Sequence, residues 1–159
     1  MPSMYSLISA ALQRWAEACE ARRRGEQAFY VTELARGARG RGAGAVMGRR
    51  VHDQIWALDP YSILDRVEWA GPLPLAYRFA FGWVYGVADL VHFVQHTCVA
   101  VYEVKSYSTI REYEMNQASL YGLLASLNFC AKPRVYVIAH IQKIEVKDWE
   151  IRALSLLPP

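Results

Sequence analysis

Cys98-Val99-Ala100-Val101-Tyr102-Glu103-Val104-Lys105 is the stretch that decides the fold. It is almost continuously apolar until its charged end, the pattern of a central strand buried on both faces. Gln95-His96-Thr97 before it reads as a turn, and Tyr85 to Val94 before that as a second strand rich in aromatic and β-branched residues. Leu75 to Trp83 reads as a further strand, with a glycine at the junction between the two. Gly71-Pro72-Leu73-Pro74 reads as a break ahead of all three strands. Beyond the central strand, Ile110 to Asn128 is expected to be a helix with Leu120, Leu124 and Leu127 on its inner face. Lys132-Pro133 then turns the chain into a strand from Arg134 to Ile141, and the tail from Glu145 to Leu157 is read as an edge strand.

The N-terminal third reads as helical. Met4, Leu7, Ala11, Trp15 and Ala18 recur at three- and four-residue steps, which predicts an amphipathic helix over 3–23. Arg22, Arg23 and Arg24 suit its C-terminus, and Gly25 offers a stop. Phe29 to Leu34 is a short apolar segment with Thr32 as a candidate N-cap. Arg36 to Gly48 holds five glycines and three arginines without periodicity and reads as a loop. Val46 to Leu58 reads as a second helix, stopped by Asp59-Pro60. Helices, three strands, a helix and a strand make one small α/β domain with a mixed sheet spanning 1–159, with an N-terminal helical region over 1–58 and an α/β core over 73–141.

Composition bounds what such a domain does. With 53% hydrophobic and 21% charged residues in 159, the chain can bury a core and is not a disordered tail. Its apolar runs are all interrupted before the length needed to span a bilayer, and its first residues lack the pattern of a signal peptide, so no membrane association is expected. Cys19, Cys98 and Cys130 are scattered and odd in number, which favours a reducing, cytoplasmic setting over a disulfide framework. The net charge is +3, but residues 1–50 carry nine Arg against four Glu, while the remainder carries nine Lys or Arg against eleven Asp or Glu. An arginine excess in one third suits a polyanionic partner, although a solvated surface has the same composition.

The chemistry concentrates at the end of the central strand. Alternate residues of a strand share a face, so Glu103 and Lys105 project side by side. Asp89 lies in the preceding strand, and an antiparallel hairpin would bring it to Glu103. Two carboxylates meeting at one point suit a hard cation such as Mg²⁺ or Mn²⁺, and a neighbouring lysine suits a water nucleophile or a charged phosphoryl oxygen. A turn aspartate beside a surface ion pair is the plainer alternative. His92 and His96, flanking the turn, and His140, at a strand end, read as structural, and Cys98 as a small buried hydrophobe.

The array Asp89, Glu103-x-Lys105 resembles the PD-(D/E)xK nuclease superfamily, with Ala88 where the proline of that name would stand. Gln117 and Tyr121 on the following helix match the QxxxY pattern of its RecB-like branch, and i, i+4 spacing puts both on one face. Gly48-Arg49-Arg50-Val51-His52 looks like the GxxxH element of the same branch. Phe29-Tyr30-Val31-Thr32-Glu33-Leu34 is similar to the N-terminal segment of the exonucleases associated with CRISPR adaptation. The cysteines that hold an iron–sulfur cluster in those enzymes have no counterpart near Arg36-Gly37 or after Cys130, so no cluster is expected.

The resemblance implies a restriction-endonuclease-like core and a metal-dependent DNA nuclease with little sequence specificity, acting as an exonuclease on single strands or duplex ends. Asp89, Glu103, His52 and the Val104 carbonyl would hold Mg²⁺ or Mn²⁺. Lys105 would orient or activate water, and Gln117 and Tyr121 would orient the site or the strand. Arg36, Arg39, Arg41, Arg49 and Arg50 would grip phosphates. A junction-resolving endonuclease of the same superfamily and a catalytically silent DNA-binding or assembly module are the rival readings. A homo-oligomer, or a partner nuclease or helicase, stays open.

Overall fold

A computed structural model describes residues 2–36, 59–105 and 109–159. The expected helix over 46–58, His52, Arg39, Arg41, Arg49 and Arg50 lie outside the described residues. The fold is mixed α/β: a six-stranded mixed sheet flanked by helices. None of its described helices is long and apolar enough to cross a membrane.

Helix α1 (Met4–Arg23) starts where the Ser3 hydroxyl accepts the Ser6 amide at 3.1 Å and ends on Arg22 and Arg23, cations favoured beside the carbonyl end of a helix. Gly25, at φ +78°, then reverses the chain. Strand β1 (Ala28–Tyr30) runs directly into α2 (Val31–Arg36). The cap there is not Thr32, which is buried inside the helix; the Glu33 carboxylate instead accepts the Tyr30 amide at 3.3 Å. A 3₁₀ turn over Pro60–Asp65 leads into β2 (Glu68–Phe79), β3 (Gly82–Val94) and β4 (Thr97–Lys105). Helix α3 (Glu112–Phe129), β5 (Arg134–Ala139), β6 (Gln142–Glu145) and α4 (Trp149–Leu156) complete the chain.

Three elements differ from the expectation. Gly71-Pro72-Leu73-Pro74 does not break the chain but lies inside β2. Among the described residues β2 pairs with β3 alone, and proline is tolerated in an edge strand whose missing N–H faces away from the partner. The first hairpin turns at Ala80-Phe81, so Trp83 belongs to β3 rather than β2. Gly82 permits this, with φ +137° and a position where a Cβ would collide with the Gln27 carbonyl. The tail is a helix, not an edge strand. The edge strand is the shorter β6, and Trp149 and Ala153 of α4 are buried at helical spacing.

The main core gathers Ile8, Leu75, Val91, Val101, Leu120, Leu124 and Val137 from α1, β2 to β5 and α3. Each such buried aliphatic side chain contributes about 1.5–3 kcal/mol. Trp15, Ala18 and Ala21 of α1 form a second cluster with Ala28, Tyr30, Ala76, Trp83 and Tyr85. Helix α3 crosses between β4 and β5, which pair in parallel from Ala100↔Arg134 to Lys105↔Ala139.

The pairing of β3 sets where Asp89 and Glu103 meet. A strand has two edges, and β2 occupies one edge of β3 from Gly82 to Val94. The other edge is shared. Strand β1 pairs with it in parallel at Trp83 to Tyr85, and β4 pairs antiparallel at Leu90 to Val94. Among the described residues, 86–89 of β3 therefore have no strand partner on that side, and the C-terminal ends of β1 and β4 converge on the gap. Strand ends that face each other across such a gap leave a crevice in the sheet.

Candidate active site

Asp89 stands in this gap. From Gly71 to Leu73, β2 advances two residues while β3 advances three, from Val91 to Ala88. The extra residue is a bulge in β3 that includes Asp89, and bulges re-aim side chains. The Asp89 Oδ2 accepts the Val104 amide at 2.9 Å, taking over where the β3–β4 ladder ends at Leu90↔Tyr102. Across the gap, Glu103 points into the protein and is 3% exposed. Lys105 Nζ meets Glu103 Oε1 at 3.3 Å. The expected hairpin, the meeting of Asp89 with the Glu103 strand end and the shared face of Glu103 and Lys105 are all present.

The electrostatics of the pair are lopsided. Burial, and then the Asp89 carboxylate, hold the Glu103 carboxyl well above the usual carboxylate range, with Lys105 opposing them. Glu103 Oε2 has no hydrogen-bond partner among the described residues. A buried acceptor left unpaired is costly, and a cation on it removes that cost. Two carboxylates with an unpaired buried oxygen fit a hard divalent ion, for which oxygen ligands are preferred. Among the described residues no group of three or more His, Cys, Asp or Glu side chains comes together.

The helix behind the strands contributes Gln117 and Tyr121, both buried and one turn apart on α3. The Gln117 Oε1 is the other buried polar atom without a partner among the described residues. Burial, with Tyr30, Glu103 and Asp89 adding to it, pushes the Tyr121 phenol well above its ordinary range, so this hydroxyl stays protonated beside the carboxylates. Gly86 makes room for it: a Cβ there would lie 2.6 Å from the Tyr121 hydroxyl.

Arg36 ends α2 with its guanidinium 4.9 Å from the centre of the Tyr113 ring, and Lys105 Nζ lies 5.6 Å from the same ring. An arginine expected to grip phosphate thus shares an aromatic neighbour with the lysine of the site. Val104 is 49% exposed, with its amide engaged by Asp89.

His92 pairs with Glu68 and His96 with the Leu64 carbonyl, and Cys98 is buried with its thiol pushed up to about 12. None of these contacts involves Asp89, Glu103 or Lys105, and Cys98 is buried as expected. Sequence reasoning missed Tyr113 and Tyr30. Tyr113 stands four residues before Gln117 and eight before Tyr121, and that helical spacing would have revealed it. Comparison with protein-family models, with curated proteins and with solved structures found no match.

Proposed function

We propose that this protein is a metal-dependent nuclease that hydrolyses DNA phosphodiester bonds, with Asp89, Glu103 and Lys105 as its centre. The observation that carries this reading is the unpartnered Oε2 of the buried Glu103, set beside a second carboxylate and a lysine at a gap in the sheet. The order of a helix, three antiparallel strands, a helix and a parallel strand further supports a restriction-endonuclease-like core of the RecB-like type.

Asp89 and Glu103 would hold Mg²⁺ or Mn²⁺, with the Val104 carbonyl and His52 as further donors. The ion supplies positive charge that polarises the phosphoryl group and lowers the pKa of bound water. Lys105, anchored by Glu103 and Tyr113, presents an ammonium to the water or to a phosphoryl oxygen. Asp89 keeps the Val104 segment in place through its amide. Gln117 and Tyr121 brace the buried side of the centre. The arginines contact the phosphate chain, which carries no base information, so sequence preference should be weak and ends should be favoured over internal sites.

The test is cleavage of end-labelled linear, single-stranded and circular DNA with Mg²⁺, Mn²⁺ or EDTA. Loss of cutting in EDTA, in Asp89→Ala and in Glu103→Ala, with the fold retained, is the expected result. Undiminished cutting by either folded variant would remove the assignment. Cutting of circular DNA at the linear rate would favour the endonuclease reading.

A further inference from the structure

The first turn of α3 meets the end of α2 at a cavity of about 660 Å³, lined by Ala35, Arg36, Arg111, Glu112, Tyr113 and Asn116. That volume lies within the roughly 300–1,000 Å³ usual for small-ligand sites. Tyr113 joins the cavity to the carboxylates. Its ring centre lies 4.9 Å from the Arg36 guanidinium on one hand and 5.6 Å from the Lys105 ammonium on the other. Lys105 in turn meets Glu103 at 3.3 Å. One aromatic ring thus links an arginine of the cavity with the lysine of the candidate centre.

The other polar groups of the wall are engaged with one another or with α4. The Asn116 amide donates to the Ala35 carbonyl at 3.2 Å and accepts from Arg152 at 3.2 Å. Arg152 also pairs with Glu112, so this carboxylate is neutralised. Arg111 pairs with the buried Glu114 at 3.0 Å. Arg36 is exposed and is held by the ring, a contact that draws on its charge and does not consume its fork of N–H donors. Two cations on one ring repel each other, and an anion beside them offsets that cost.

We infer that this cavity binds the phosphate of the DNA strand that flanks the bond being cut, with Arg36 as its donor and Tyr113 as the ring that fixes Arg36 beside Lys105. The inference rests on the nuclease reading and extends it to the path of the strand, which runs from the carboxylates past Lys105 to the cavity between α2 and α3. An arginine fork matches a pair of phosphate oxygens, which a lone ammonium does not. Asn116 and Glu112 are already engaged, so the wall presents charge and no base-reading edge. The flanking nucleotide should therefore be accepted whatever its base. An internal phosphodiester and a terminal phosphate share this chemistry, and the test separates them.

The experiment uses the full chain as wild type, Arg36→Ala, Tyr113→Leu and Lys132→Ala, the last an exposed control beyond the other end of α3. Circular dichroism checks that each is folded. The probes are end-labelled single-stranded oligonucleotides in which one phosphate at a time is a neutral methylphosphonate, together with a pair that ends in a phosphate or a hydroxyl. Both kcat/KM with Mn²⁺ and Kd in EDTA are measured. In wild type, neutralising one phosphate beside the cut should lower kcat/KM about tenfold, the worth of a hydrogen bond to a charged group. Arg36→Ala should lose about tenfold on unmodified DNA. It should lose nothing further at that one position while keeping the wild-type penalty at every other. Tyr113→Leu should show the same effect in weaker form, and Lys132→Ala should match wild type. Lost coupling at an internal position assigns the cavity to a continuing strand, and lost coupling at the end phosphate assigns it to a strand terminus. If Arg36→Ala keeps the wild-type penalty at every position, or if Lys132→Ala loses it in the same way, the inference is overturned. A wild type that cuts no DNA overturns the nuclease reading instead, and the same comparison made on Kd in EDTA then decides whether the cavity binds phosphate.

Discussion

Replacing Glu103 with glutamine should make the metal-free protein more stable at pH 8. The side chain is 3% exposed, and its Oε2 lacks a partner among the described residues. An unpaired buried acceptor costs about 1–3 kcal/mol, and more when charged. The contact with Lys105 at 3.3 Å returns part of this, about 1 kcal/mol for a lysine still partly open to water. The neutral amide should therefore gain up to about 2 kcal/mol, or up to about 8 °C in Tm for a chain of this size. The native carboxyl is raised, so the folded state keeps a proton that the unfolded chain has released. Wild-type stability then falls as pH rises through 4.5, the ordinary value, and levels off above the raised native one. The advantage of Glu103→Gln should accordingly vanish below pH 4.5 and be complete at alkaline pH. Manganese should reverse the ranking. At a hundred times its Kd a ligand adds about 2.7 kcal/mol to wild type, and the amide variant should gain far less. Thermal melts at several pH values, in EDTA and in Mn²⁺, read all of this. A variant that melts below wild type in EDTA at pH 8, or that gains as much from Mn²⁺, would refute the reasoning.

Lys105→Ala should keep Mn²⁺ and DNA affinity but lose about 10²–10³ in single-turnover rate, because its charge acts on the transition state; unchanged turnover at saturation with weakened binding would make it only a phosphate clamp. Gly86→Ala places a methyl 2.6 Å from the Tyr121 hydroxyl and should cost about 1–3 kcal/mol in denaturant melts; an unchanged midpoint would mean that the helix yields freely. Asn128→Ala removes bonds to the Ala76 and Leu124 carbonyls and to Arg14, and should cost about 1–3 kcal/mol by the same assay. Changing Arg36, Arg39 and Arg41 together to alanine should weaken binding to every DNA sequence alike and flatten the salt slope by up to about three; an unchanged slope would take the DNA path elsewhere.

The hairpin carrying Asp89 and Glu103 was readable because a tight turn at Gln95-His96 sets the register locally, and few residues separate the turn from the site. Tyr30 was not readable as a neighbour of Tyr121 behind that site. It arrives through parallel pairing of Ala28 with Trp83, a contact between distant segments that no local pattern announces. The two prolines of β2 read as a break because composition does not reveal which edge of a strand faces its partner. Helix α4 was missed for another reason: Ile151 and Leu154 are exposed, and apolar residues on both faces blur the helical period.

Those prolines also bear on how the molecule behaves at high concentration. An open strand edge is a template on which another chain can add a strand. Strand β2, with 12 residues, is the longest of the outermost strands among the described residues and would be the most dangerous template. Pro72 and Pro74 remove two amide donors from it while its ladder to β3 continues through Leu73 and Leu75. At the opposite end β6 is only four residues long, and its Lys143 sits over the stacked rings of Tyr102 and Tyr136, 4.5 Å from the nearer ring centre. Short length and a charged side chain discourage edge-to-edge addition there. The edges at β2 and β6 thus carry features that oppose polymerisation, so a Pro72→Thr, Pro74→Thr chain should keep its fold yet show lower solubility and earlier onset of aggregation on standing.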